Sequence, residues 1–318
     1  MAGVSAGGAF LPLAIASRPT AAGRIEFTAS GNFSETAVRR GVRATREQCQ
    51  PLDDAVWVSA PPDDAGADGE CLRYFTARIG TGGARRVIVY FAGDVWTADG
   101  QLEPGYSALD IPRIRAGVER WAERLDAPYV FFARPGTFGS SGDHMQRRRR
   151  AESKLVSAAL DALKRKLGIA EFVLVGHSGG GHVVASLLTQ RDDIVCAVPA
   201  SSPSSPSLRW RLQGATHDTT GYVDSYEPVD HLRRGSMHPK LRVLVLGDPN
   251  DTNVPWASQQ ILADRLQDAG IAHAVLNGIG RGPSRHSLAD SGRIVAGWCY
   301  HDVPTDEIVR RAAKGLGG

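Results

Sequence analysis

Six short runs of branched and aromatic apolar residues, most followed by a turn signal and then an amphipathic stretch, constrain this chain more than anything else in it. They occupy residues 87–91, 129–132, 172–175, 194–198, 241–246 and 271–276. A strand that is apolar along its whole length is buried on both faces, whereas one that faces water on one side alternates. Between the first two runs, Ile111, Ile114, Val118, Trp121 and Leu125 recur at helical spacing and make one apolar stripe. Val156, Leu160, Leu163 and Leu167 do the same after the second run. Val183, Val184, Leu187 and Leu188 continue helically after the third, and Ile261, Leu262 and Leu266 after the fifth.

Strands alternating with amphipathic helices predict an α/β fold, with a mostly parallel sheet covered by helices on both faces. Val56-Trp57-Val58 and Leu72-Arg73-Tyr74-Phe75 alternate more and have no helix between them, which predicts an antiparallel N-terminal edge hairpin. No repeat or linker divides the chain, so residues 24–318 are expected to form a single domain. Residues 201–240 are too long for a connection, which typically takes about 2–6 residues. They are expected to form a partly helical cap insertion, and hold Trp210 between Arg209 and Arg211.

Charge excludes several classes. The 37 basic residues nearly balance 34 acidic ones, for a net charge of +3, which argues against a nucleic-acid wrapper. No run reaches the roughly 18 apolar residues of a membrane span. Arg147 to Arg150, next to Glu152, are expected to be a solvated helix start rather than an anion-binding surface. Residues 1–23 contain an apolar stretch that ends in Ala14-Ile15-Ala16, a pattern suited to signal cleavage. The first basic residue, Arg18, follows that stretch, so a disordered start is the competing reading, and location stays open between export and cytoplasm.

The four cysteines contain no Cys-x-x-Cys pair, against a zinc ribbon or redox dithiol. Cys49 and Cys71 bracket an early strand and loop. A disulfide there would contribute about 3 kcal/mol in the chain-entropy model and would imply an exported protein; two free thiols are the alternative. Cys196 lies in an apolar run and is expected to be core filler.

The chemistry concentrates at Gly176-His177-Ser178-Gly179-Gly180, after the third run and before a helical stretch. A serine on so tight a strand-to-helix turn takes strained backbone angles and needs small residues two positions either side. The turn lifts the hydroxyl above the sheet edge and points helix N-terminal amides at developing negative charge. A serine hydroxyl is a weak nucleophile and needs a base, which in turn needs an orienting acid. On such a sheet the order is serine, acid, histidine.

Asp248 and Asp251 follow the fifth run, and Asp251 is preferred because Asp251-Thr252-Asn253-Val254-Pro255 ends the loop and starts a helix. His286, in the loop after the sixth run, is the candidate base. His177 and His182 read as packing around the serine. The oxyanion donors are expected to be the Gly179 amide and one from the loop after the first run, the Asp94 amide or one a position either side. Trp96, Phe138 and Trp210 are expected near the site and favour short-acyl or aromatic esters.

Gly-His-Ser-Gly-Gly at 176–180, Asp-x-x-Val-Pro at 251–255 and a late loop histidine together resemble the α/β-hydrolase superfamily. Glu227-Pro228-Val229-Asp230-His231-Leu232 resembles the segment before the acid strand in prolyl-oligopeptidase-like and dienelactone-hydrolase-like members. The resemblance covers about residues 70–300. It implies the α/β-hydrolase fold and a carboxylesterase-like serine hydrolase. Ser178, Asp251 and His286 would be its catalytic triad, acting on a small-molecule ester with no metal or organic cofactor. A small serine peptidase or amidase, or a catalytically silent binding module on the same fold, are the alternatives. Dienelactone hydrolases proper carry cysteine where this chain has Ser178. The His-Gly-Gly stretch that often supplies an oxyanion donor is absent.

Overall fold

The computed structural model describes residues 23–59, 69–96 and 100–316, so nearly all of the expected leader lies outside the described residues. Two short strands, β1 (Ile25–Glu26) and β2 (Val42–Arg43), pair in parallel around α1 (Glu35–Arg40). After α2 (Arg46–Cys49) come β3 (Ala55–Ser59) and β4 (Gly69–Ala77), which pair antiparallel as the edge hairpin. The alternating series follows: β5 (Arg86–Phe91), α3 (Ile111–Leu125), β6 (Tyr129–Phe132), α4 (Arg150–Leu167), β7 (Glu171–His177), α5 (Gly179–Leu187) and β8 (Ile194–Ala200). It ends with α6 (Pro206–Leu212), β9 (Arg242–Gly247), α7 (Trp256–Asp268), β10 (His273–Asn277), α8 (Ala289–Tyr300) and α9 (Thr305–Ala313).

Eight strands form one sheet in the order β10-β9-β8-β7-β5-β6-β4-β3, parallel from β10 to β6. Period-two alternation explains why the central residues of the inner strands are apolar on both faces. Val87, Val89 and Phe91 of β5 join a core layer with Leu160 of α4, Val184 of α5 and Leu266 of α7. Ile88 and Tyr90, pointing the other way, join a second layer with Val118 of α3 and Val295 of α8. Each fully buried aliphatic side chain contributes about 1.5–3 kcal/mol, so a polar residue at either set of positions would lose that burial.

The chain steps from β5 to β6 on one side, then crosses back to β7 and continues outward through β8. The carboxyl ends of β5 and β7 therefore flank a topological switch point, where open α/β sheets form their ligand crevice.

Two expectations need correction. Cys196 is buried in the core as expected, but it is more than filler. It is disulfide-bonded to Cys299, with Cα atoms 6.4 Å apart, because α8 lies across the face of β8 from which Cys196 projects. Cys49 and Cys71 form the second disulfide, so no described cysteine is free. The arginine run is not a solvated helix start either: Arg147 and Arg148 are buried, and only Arg150 is exposed. Among the described residues no helix is long and apolar enough to cross a membrane.

Candidate active site

Ser178 is the single residue between β7 and α5, with φ 53° and ψ −121°. Such angles cost a non-glycine residue on the order of 1–3 kcal/mol, and the flanking packing must enforce them. A Cβ on Gly176 would overlap the Gly180 carbonyl, and one on Gly180 would overlap the Phe91 carbonyl. The glycines thus let β7, α5 and β5 close around the serine. Gly179 is the first residue of α5, so its amide has no intrahelical acceptor.

His286 and the two candidate aspartates come from the loops after β10 and β9. Asp248 is fully buried and ties those loops together. It accepts from Asn250 N at 2.8 Å, Gly280 N at 2.9 Å and Arg285 Nε at 2.8 Å. Asp251 instead faces His286, whose Nδ1 lies 2.7 Å from Asp251 Oδ2. Asp251 Oδ1 accepts the Asn253 and Val254 amides at 2.8 and 2.9 Å, and Gln259 Nε2 donates to Oδ2 at 3.2 Å. That many donors fix the orientation of the carboxylate toward His286.

With Nδ1–H committed to Asp251, His286 Nε2 is left as an acceptor. It is buried and has no hydrogen-bond partner among the described residues. Ser178 and His286 line one cavity of about 740 Å³, although no hydrogen bond joins them. Catalytic hydrogen bonds are often looser before substrate binds.

Ser201 and His177, the latter expected from the sequence to pack beside the serine, hold His286 in place. Ser201 Oγ donates to its carbonyl at 2.7 Å, and His177 Nε2 does so at 3.1 Å. Burial, together with the neighbouring His286 ring 4.9 Å away, pushes the His177 pKa down to about 3. His177 therefore stays neutral and keeps its donor proton. Its position beside the serine was the only signal for this role.

The loop after β5 lies against the serine: a Cβ on Gly93 would come within 3.3 Å of Ser178 Cβ. The Val95 amide is taken by His144 Nε2 at 3.4 Å, which leaves the Gly93 and Asp94 amides as the candidates on this loop. The Asp94 side chain has a separate task. Its Oδ1 accepts from Arg134 Nη1 at 2.9 Å, and its Oδ2 from Arg147 Nε at 3.0 Å and from Arg148 Nη1. Arg134 also donates to Glu152 at 2.9 Å, and Arg148 to Asp218 at 2.6 Å. Three cations and three anions thus form one buried network. Burial alone would raise the Asp94 pKa, but Arg148, Arg147 and Arg134 outweigh it and hold the carboxyl well below the usual range.

The cavity is lined by apolar side chains, among them Val95, Trp96, Tyr106 and Phe138. Polar residues, including Arg209, Asn253 and Ser287, line it as well. Trp210, expected at the site, does not line it; its neighbour Arg209 does. Among the described residues no group of three or more His, Cys, Asp or Glu side chains could hold a metal ion.

Among solved structures, the chain is similar to Est1E from Butyrivibrio proteoclasticus with ferulic acid bound. The TM-score is 0.52 at 13% identity, covering 82% of this chain and 99% of that one. It is also similar to the acylaminoacyl peptidase of Pyrococcus horikoshii, with a TM-score of 0.51 at 12% identity, covering 82% of this chain and 45% of the peptidase. Prolyl oligopeptidase B from Galerina marginata gives a TM-score of 0.51 at 15% identity, covering 83% and 36%. This chain has the α/β-hydrolase fold. No protein-family model and no curated protein matches it.

Proposed function

We propose that the protein is a serine hydrolase that cleaves carboxylic esters of small molecules through an acyl-enzyme. The observation that carries this reading is the 2.7 Å contact between His286 Nδ1 and Asp251 Oδ2, which leaves Nε2 as a base in the cavity that Ser178 lines. The alternative aspartate, Asp248, is occupied elsewhere.

Ser178 Oγ attacks the ester carbonyl carbon while His286 Nε2 takes its proton. Asp251 stabilises the imidazolium, and the Gly179 and Asp94 amides donate to the oxyanion. Losing one such donor typically costs about 10²–10³ in rate. The tetrahedral intermediate collapses as the C–O bond to the alcohol breaks, and His286 protonates the leaving oxygen. Water then gives a proton to His286 and attacks the acyl-enzyme, and the acid leaves as Ser178 regains its proton.

Pro203, Arg209 and Thr219 contribute to the cavity wall, which supports residues 201–240 as a cap that sets substrate choice. The two disulfides support residence in an oxidising compartment.

The test is hydrolysis of p-nitrophenyl acetate and butyrate, with the matching p-nitroanilides alongside. Ser178→Ala and His286→Gln should each lower kcat by about 10⁴ or more. Faster release from the anilides than from the esters would move the reading to an amidase. No turnover of any of the four by the wild type would leave a non-catalytic binding module.

A further inference from the structure

Arg209 differs from the other buried arginines. Arg73, Arg134, Arg147, Arg148 and Arg191 each hold a carboxylate within the protein. Arg209 is 7% exposed and forms no salt bridge with any described carboxylate. Its Nε donates to the Asn253 carbonyl at 3.2 Å and its Nη2 to Asn253 Oδ1 at 2.9 Å. Both bonds use one edge of the guanidinium. Nη1 makes no hydrogen bond among the described residues, and the side chain lines the cavity that holds Ser178 and His286.

A buried cation without a counter-charge destabilises a fold. Burial, with Arg148 nearby, pushes the Arg209 pKa below the ordinary arginine value. Asp218, Asp94 and Asp251 offset this only in part, since each is held by other donors: Asp218 by Arg148, and Asp251 by His286 and the Asn253 and Val254 amides. Asp94 is neutralised by its three arginines, Arg281 is exposed and paired with Asp290 at 2.7 Å, and Glu103 is exposed and screened by water. No described carboxylate forms an ion pair with Arg209, so its free end is open to an anion that enters the cavity.

Resting on the ester-hydrolase reading above, we propose that the substrates are esters that carry a carboxylate, and that the free Nη1/Nη2 end of Arg209 binds it. A guanidinium end matches the two oxygens of a carboxylate, and its single positive charge matches a monoanion. The apolar lining residues Val95, Trp96, Tyr106 and Phe138 would take the uncharged part of the molecule. Arg209 is then a specificity-determining residue, carried by α6.

A purely structural role is the competing account, because Arg209 also steadies Asn253, whose amide donates to Asp251. Two substrate pairs separate the two. The first compares the p-nitrophenyl ester of glutaric acid with its methyl-capped diester, which puts the carboxylate on the acyl side. The second compares 4-acetoxybenzoate with its methyl ester, which puts it on the alcohol side.

The wild type should favour the charged member of at least one pair by about tenfold or more in kcat/KM, mainly through KM. The pair that shows the preference identifies the side. Arg209→Met should bring that ratio to about one, and Arg209→Lys should retain part of it. Equal rates on both members in the wild type overturn the proposal. So does an Arg209→Met loss that falls equally on charged and neutral esters, chiefly in kcat. A wild type that hydrolyses none of the four esters contradicts the ester-hydrolase reading itself.

Discussion

Arg134 Nη1 donates to Asp94 Oδ1 over 2.9 Å, and through that contact a loop beside Ser178 is anchored to charges in the protein interior. The backbone of that loop supplies a candidate oxyanion donor, while its side chain closes a network of Arg134, Arg147, Arg148, Glu152 and Asp218. Removing one partner of a buried ion pair leaves uncompensated charge, at a typical cost of about 3–5 kcal/mol. Asp94→Asn should therefore lower unfolding stability in urea by roughly that amount. A loss under about 1 kcal/mol would mean that the arginines find other partners or water.

Acid should weaken the fold through its buried histidines. Burial pushes His182 down to about 4, and burial with the adjacent His286 pushes His177 down to about 3, against about 6.5 for an unfolded histidine. Between these values the unfolded chain binds protons that the native state does not. Stability is thus complete above about pH 6.5 and falls as pH drops, by up to roughly 1.4 kcal/mol per pH unit for each group. His182 Nε2 holds the Tyr226 carbonyl at 2.8 Å. Urea unfolding of His182→Gln between pH 7.5 and 4.5 should show a shallower pH slope than the wild type. An unchanged slope would show that His182 is protonated in the native state.

The two disulfides should differ in weight. Cys49–Cys71 closes a separation of 22 residues and Cys196–Cys299 one of 103. In the chain-entropy model these contribute about 3 and 4.7 kcal/mol. Thermal unfolding of the paired alanine variants should therefore show the larger drop for Cys196→Ala/Cys299→Ala. Alkylation of the unfolded, unreduced protein should label no cysteine; labelling of Cys196 and Cys299 would remove the second bridge from this account.

How far the fold could be read in advance follows from burial. β5 and β7 face core on both sides, so their inner residues, 87–91 and 172–175, are apolar without interruption and mark the strands directly. β10 is an edge strand with half-exposed positions; its apolar run begins early, at buried Ile271, and the strand itself starts at His273. β1 and β2 have two residues each, too few to show any period.

At the site, chain order and loop position singled out Ser178, Asp251 and His286, and they share one cavity or a direct contact. The arginine run was misread because its partners are distant: Asp94 lies 54 residues before Arg148, and Asp218 lies 70 after it. Cys299 is hidden from Cys196 for the same reason. Local pattern reports the face a residue shows, not the charge or thiol that the fold brings to meet it.

Labelling with a fluorophosphonate, read by intact mass and peptide mapping, tests the central claim most directly. One phosphonyl group per chain should appear on Ser178, and none on the Ser178→Ala variant. An unlabelled wild type, or an adduct on another residue, would contradict the account.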